Sequence, residues 1–292
     1  MTDADGAFER LGGTAPLLLL CDHASGALPA AYGTLGLPPH LLDTHIAYDI
    51  GAAHMTRALA AAFDAPAILG RYSRLLIDLN RGTDDPTLVM KLSDGSIIPG
   101  NRDVNAAEMA RRVALFHAPY HEAITAEIQR IQARLPLCAQ RMEGEVAVAR
   151  RPLSLAHRAR ERPRRAKAGG GRQTDNDRLG APALVSIHSF TPAWKGRARP
   201  WEVGVLWDRD GRLARPLMAG LSAAGFAVGD NEPYSGALEN DTLNRHGTKT
   251  GLPHVLIEVR QDLVGDRMAA EAFARRLEPI LAAALARMEA GE

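Results

Sequence analysis

The sequence is poor in cysteine: Cys21 and Cys138 are its only two. Two thiols cannot form a disulfide framework, and the scarcity fits a reducing compartment. Long apolar runs are missing as well. The N-terminal MTDADGAFER is acidic, and the apolar stretch behind it, Leu17 to Cys21, is too short for a signal-peptide core or a membrane span. These absences predict a soluble, cytoplasmic protein with no membrane partner. A net charge of +1 supplies no field of one sign, so nothing global points to nucleic acid or an anionic surface. Local signatures are missing too. There is no CxxC pair, no HExxH, no GxSxG and no internal repeat. GAPAL and GGTAPL lack the Lys and Ser/Thr of a phosphate loop.

What is present is ordinary globular material, 46% hydrophobic and 24% charged over 292 residues. That length can bury a large core in one α/β domain. Short continuous apolar runs read as buried strands: Pro16–Cys21, two stretches within Pro66–Leu79 (AILG and RLLIDL), Ala183–Ile187, Glu202–Trp207 and His254–Val259. Helical spacing marks Leu37–Phe63, as one long helix or two shorter ones, and Asn105–Leu135, interrupted at Pro119. Arg212–Ala224 and Gly265–Met288 read as amphipathic helices. Strands separated by helices predict a three-layer α/β/α arrangement around a mixed, mainly parallel sheet. One domain is expected over 1–292. The exception is 149–180, where ten Arg or Lys stand against three acidic residues between Arg150 and Gly180. With no hydrophobic period and a GGG, it reads as a mobile basic surface insertion. Without aromatic residues for stacking it does not make a nucleic-acid partner the expectation.

Several strand-like runs end in residues suited to chemistry. PLLLLC is followed by Asp22-His23, ALVSI by His188-Ser189, and LLIDL by Asn80-Arg81. HVLIEV contains Glu258 and is followed by Arg260. In an open α/β sheet, sites form outside the carboxyl ends of the strands. Two imidazoles and a carboxylate make a three-ligand zinc site with a position open for water. A glutamate nearby can take the water's proton, and an arginine can clamp a substrate carboxylate through two hydrogen bonds. Glu258 is the hardest of these to read as structural, because a carboxylate inside an apolar strand is costly to bury unless paired or functional. Asp49, four residues after His45, is a candidate metal carboxylate. The ordinary readings are a turn cap for Asp78, a surface ion pair for Arg81, and helix-surface and supporting contacts for His117 and His121.

DHASGALP, HIAYDIG, RYSRLLIDLNR, FHAPYHEAI, SIHSFTP and GLPHVLIEVRQDL, in that order, resemble the N-formylglutamate amidohydrolase family from about Leu17 to the C-terminus. That family is similar in turn to the zinc carboxypeptidase and aspartoacylase group. The resemblance implies a phosphorylase/hydrolase-like fold and a divalent metal, zinc above manganese, iron or cobalt. It implies His23 and His188 as metal ligands, Glu258 as general base, and Asn80 and Arg81 gripping the substrate carboxylate. Arg71, Arg74 and Arg260 are candidates for reading a second carboxylate. The carboxypeptidase group places a metal glutamate three residues after its first histidine. Gly26 stands there in this chain and has no ligating side chain, so Asp49 is the expected third ligand. The implied activity is hydrolysis of the amide bond of an N-formyl or N-acyl amino acid, N-formylglutamate being the type. The alternatives are a carboxypeptidase-like or esterase metallohydrolase, or a carboxylate-binding relic without chemistry.

Overall fold

The structure is a computed structural model that describes residues 6–149 and 181–291, with side chains up to 135 and from 181. The basic segment expected at 149–180 lies outside the described residues, apart from Ala149.

The apolar runs do form strands. In chain order these are β1 (Phe8–Leu11), β2 (Leu17–Cys21), β3 (Ala67–Gly70), the short hairpin β4–β5 (Leu92–Ser93, Ser96–Ile97), β6 (Ala183–Phe190), the hairpin β7–β8 (Ala193–Trp194, Arg197–Ala198), β9 (Val203–Leu206), β10 (Val228–Asp230) and β11 (His254–Arg260). Seven of them make one sheet in the order β1-β3-β2-β6-β11-β9-β10. Pairing is parallel at β3-β2, β2-β6, β6-β11 and β9-β10, and antiparallel at β1-β3 and β11-β9. The continuous burial of β2, β6 and β9 is what strands covered on both faces require.

Alternation along these strands sorts side chains into two cores. Leu19, Cys21, Val185, Ile187 and Ile257 pack with α1 (Ala52–Phe63), α4 (Ala214–Ala223) and α6 (Arg267–Ala290). Leu18, Leu20, Leu184 and Leu256 face the other way, against Tyr120, Ile124 and Ile128 of α3 (Ala118–Ala149). The result is the expected three-layer mixed, mainly parallel α/β/α fold. His188 and Glu258 share parity with Leu184 and Leu256, so they stand on the α3 side of the sheet.

Three readings need correction. RLLIDL is not a strand: the chain turns through it. Its carbonyls are taken by side chains from far away instead of by a ladder. Asn101 Nδ2 donates to Leu75 O (2.7 Å), and the buried Arg112 donates through Nη1 to Leu76 O (2.8 Å). Leu37–Phe63 is helical only as a single 3₁₀ turn, Pro39–Asp43, and then α1, which begins after Gly51 in the left-handed conformation (φ 81°). The intervening apolar residues Ile46 and Ala47 join a small third core with Leu75. In Asn105–Leu135, α2 (Ala106–Arg112) passes into a widened π turn, Val113–His117, directly before α3, where Pro119 lacks the N–H of a regular helix. Edge strands β1 and β10 and the short helix α5 (Thr242–His246) were not legible in the sequence.

Candidate active site

The site stands at the carboxyl ends of β2 and β6, and loops far apart in sequence are stitched into it. Asp49 N donates to His23 O (2.9 Å), Ser73 N to Ala27 O (2.8 Å), and Arg74 N to Ala47 O (3.2 Å). The three segments 23–27, 47–49 and 73–74 are thereby one hydrogen-bonded unit. Gly26 belongs to this seam: a Cβ there would lie 2.4 Å from Leu42 O. Backbone proximity thus accounts for glycine at a position where a metal-binding side chain was conceivable.

His23, Asp49 and His188 converge, all three buried, with one ligand atom from each lying within 4.8 Å of the others. Nδ1 of His188 is 2.8 Å and Nδ1 of His23 is 3.3 Å from the same Asp49 Oδ2. The far nitrogens are also held. His23 Nε2 faces Asp78 Oδ1 at 2.7 Å, and His188 Nε2 faces Asp22 Oδ2 at 2.9 Å. A carboxylate accepts only, so both nitrogens of each ring donate here: each Nε2–H to its outer carboxylate and each Nδ1–H to Asp49, the proton that a metal ion would replace. This carboxylate–histidine pairing is what orients imidazoles toward a metal. The donor set of two nitrogens and a carboxylate fits zinc, and also manganese, iron or cobalt.

The electrostatics follow from those partners. Burial opposes ionisation of Asp22, but the hydrogen bond from His188 and hydroxyl donors from Ser186, Tyr120 and Thr242 outweigh it and hold the carboxyl well below its usual range. Burial likewise opposes a charged Asp49, and His23 and His188 overcome it. For His188 burial favours the neutral ring, yet the hydrogen bonds to Asp22 and Asp49 raise its pKa well above the ordinary value. His23 is raised too, with Asp78 and Asp49 prevailing over burial and Arg74.

Glu258 is set opposite His188 by the parallel register of β11 on β6. Burial pushes its pKa up to about 7, and its Oε2 has no hydrogen-bond partner. A buried, unpartnered carboxylate oxygen beside two histidines is not a structural arrangement. Its antiparallel neighbour on β9 is Gly204, where a Cβ would meet Glu232 O at 2.1 Å. The missing side chain lets the segment from Glu232 to Leu238 lie across the strand beside Glu258.

These groups line a cleft of about 230 Å³, smaller than the ~300–1,000 Å³ of sites for drug-sized ligands and suited to a small metabolite. Asn80, Arg74 and Arg81 line it as well. Asn80 Oδ1 accepts from Thr242 N (3.1 Å), and Arg81 Nη1 donates to Asn80 O (2.8 Å). Arg74 donates to Asp78 Oδ2 (2.9 Å) and reaches Asp49 Oδ1 (3.5 Å). The other two expected arginines are elsewhere. Arg71 follows β3, its N–H bonded to Ala7 O and its charge felt by Glu9. Arg260 points away to Asp262 (2.8 Å) and the carbonyl of Trp201 (3.2 Å). Neither lines the cleft.

Other residues differ from their sequence reading. Asp78 is no turn cap alone: it accepts from Asn80 N (2.9 Å) while holding His23 and Arg74. His117 and His121 are buried rather than on a helix surface. His117 Nε2 lies 2.9 Å from Arg81 O, His121 Nε2 3.0 Å from Leu79 O, and His121 Nδ1 2.9 Å from His246 Nε2. His45 pairs with the exposed Asp94. Asp241 was missed, and Asp22, named beside His23, was given no role. Asp22 shares parity with Leu18 and Leu20 on β2, a signal that could have placed it under His188.

The profile of the N-formylglutamate amidohydrolase family matches residues 15–160 and 172–265. Among solved structures, the chain is similar to gene product Atu2144 from Agrobacterium tumefaciens, with 31% identity, a TM-score of 0.78, and coverage of 97% of this chain and 96% of that one. It is similar in fold to N-formylglutamate amidohydrolase from Ralstonia eutropha JMP134, with 19% identity, a TM-score of 0.64, and coverage of 98% and 100%. No curated protein matches it. The chain belongs to the N-formylglutamate amidohydrolase family.

Proposed function

We propose that this member of the N-formylglutamate amidohydrolase family is a metal-dependent hydrolase of N-formyl or N-acyl amino acids. The observation that carries the reading is the pair of Nδ1 atoms aimed at Asp49, with the unpartnered oxygen of Glu258 beside them. His23, Asp49 and His188 would hold a divalent metal, zinc by the chemistry of the set. When bound, such an ion supplies Lewis-acid activation of water and of the amide carbonyl.

The chain's own groups do the rest. Arg81, beside Asn80, clamps the substrate carboxylate and so presents the adjacent amide to Glu258. Glu258 takes a proton from the attacking water as its oxygen bonds to the carbonyl carbon. It returns that proton to the nitrogen as the C–N bond breaks, leaving an acid and a free amine. A base with its pKa near 7 is suited to both transfers. Arg74 stabilises the negative oxygen of the tetrahedral species.

The test is amine release from a panel of N-formyl and N-acetyl amino acids, before and after chelation and after zinc is restored. Activity that is lost and then recovered is expected. A metal-free protein that turns over at full rate overturns the metal assignment. Much faster cleavage of esters or peptides moves the carboxypeptidase-like or esterase alternative ahead.

A further inference from the structure

The cleft holds one charged group that the proposed reaction leaves without a task. Of the carboxylates lining it, Asp49 is taken by the two histidines and Arg74, and Glu258 serves as the base. Asp241 is the other. It is 5% exposed, and the chain is pinned on both sides of it. Asn240 N donates to Asn244 Oδ1 (3.0 Å), Thr242 N to Asn80 Oδ1 (3.1 Å), and Thr242 Oγ1 to Asp22 Oδ1 (2.6 Å). Asp241 Oδ1 accepts from Asn244 N (2.7 Å) and so caps α5. Its second oxygen takes no donor among the described residues, and Asp241 stands in the cleft wall with that oxygen to offer.

Burial pushes the pKa of Asp241 up to about 6, against the bond from Asn244 N and the charge of Arg81. In neutral buffer the group is still largely ionised. A buried carboxylate with an unanswered oxygen is costly. The cap does not require that cost, because asparagine or serine would cap α5 as well. It is the negative charge at this position that calls for a partner. An N-acyl amino acid presents an amide, a carboxylate and a side chain. Glu258 meets the amide and Arg81 the carboxylate, so the side chain is left for Asp241. Neither cleft arginine stands against a cation there: the substrate's own carboxylate answers Arg81, and Arg74 is held between Asp78 and Asp49. Leu238, half-buried in the same wall, offers apolar surface to a carbon stem.

We infer that Asp241 reads a cationic side chain, so that the enzyme takes Nα-formyl or Nα-acyl derivatives of lysine- or arginine-like amino acids in preference to neutral ones. This rests on the proposed amide hydrolysis for its chemistry but not for its ligand preference, and the two are tested separately. Nα-formyl-L-lysine and N-formyl-L-norleucine share one straight carbon stem and differ in the terminal ammonium. Wild-type kcat/KM is measured for the pair by formate release. Glu258→Gln protein with zinc added, which binds without turning over, is titrated calorimetrically with the same two compounds.

A preference for the lysine compound of about tenfold or more is expected in both, the scale of one close charge pair. Equal or weaker binding of the lysine compound, or binding of neither, overturns the inference. Tighter binding of the lysine compound while the wild type hydrolyses neither sinks the proposed reaction and leaves the inference standing. Hydrolysis of both at equal rates does the reverse. Asp241→Asn keeps the cap and the shape without the charge, and Asp241→Ser keeps the cap with a smaller side chain. In each the lysine-to-norleucine ratio is expected to fall toward one. An unchanged ratio in either variant means that the ammonium is read elsewhere, and the inference fails.

Discussion

Two sets of buried histidines hold the same short stretch of chain, Asp78 to Arg81, and their surroundings drive them in opposite directions. His23 and His188 have carboxylates on both ring nitrogens, so the protein is arranged around positive charge there. His117, His121 and His246 meet backbone carbonyls and one another. Burial holds all three down, His121 to about 2 and His246 to about 4, with the charge of Arg245 adding to it. Because a carbonyl only accepts, His121 Nε2–H donates to Leu79 O, which leaves Nδ1 to accept from His246 Nε2–H. In the proposed reading the first set holds a cation. The second is a neutral buttress under Asn80 and Arg81. What a buried imidazole does is fixed by what its two nitrogens face.

The sharpest way to break the contrast is His188→Ala. It removes a member of the cationic set, so the bound metal and the activity are both expected to disappear while the fold persists. Elemental analysis beside the amine-release assay checks this, and retention of stoichiometric metal would contradict it. Glu258→Gln separates holding the metal from using it. Here kcat is expected to fall by about 10²–10⁴ with metal content unchanged.

Asp22→Asn and Asp78→Asn weaken the brackets without touching a ligand, and each is expected to lower metal affinity by about 10–100-fold in competition with a chelator. Glu258 also carries a stability signature in chelator-treated protein. Its pKa in the fold, about 7 against an ordinary 4.5, means that the native state binds its proton more tightly than the unfolded chain does. The penalty is absent below pH 4.5, grows as pH rises, and is complete above about 7. The advantage of Glu258→Gln in urea unfolding should therefore be larger at pH 8 than at pH 5, by on the order of 2–3 kcal/mol at most. A pH-independent difference would show that the carboxyl is not held protonated. The smallest effect belongs to the neutral set. His121→Leu removes a hydrogen bond to Leu79 O, worth about 1 kcal/mol, so KM should rise about fivefold with metal content intact. His121→Gln, which can still donate, should recover most of it. An equal loss in kcat and metal would make the two sets one.

The sequence was most readable where a residue contradicts its own neighbourhood. Glu258 stands out because four of its five companions in HVLIEV are apolar, and burial without a partner is then costly. His23 and His188 stand out because each ends a continuous apolar run. RLLIDL was misread because its apolar content resembles a strand, whereas its backbone is satisfied by Asn101 and Arg112, partners with no local signature. Asp78 meets His23 across 55 positions and Thr242 meets Asp22 across 220, and such encounters are a property of the folded topology alone. Arg71 and Arg260 looked equivalent to Arg74 by residue type. Their partners decided otherwise: Arg260 is taken up by Asp262 and the carbonyl of Trp201, while Arg74 turns to Asp78 and Asp49.

The register of β11 on β6 has a consequence for how this enzyme can change. Glu258 and His188 are fixed as ladder partners, and sliding one strand by a single residue would turn Glu258 into the opposite core among Ile257's neighbours. This pair cannot drift by small steps. The stretch 231–243, which carries Tyr234, Leu238 and Asp241 to the cleft, contributes no strand to that ladder. Heredity can therefore rewrite this part of the cleft lining, residue by residue along one loop, while the ladder pair is inherited whole.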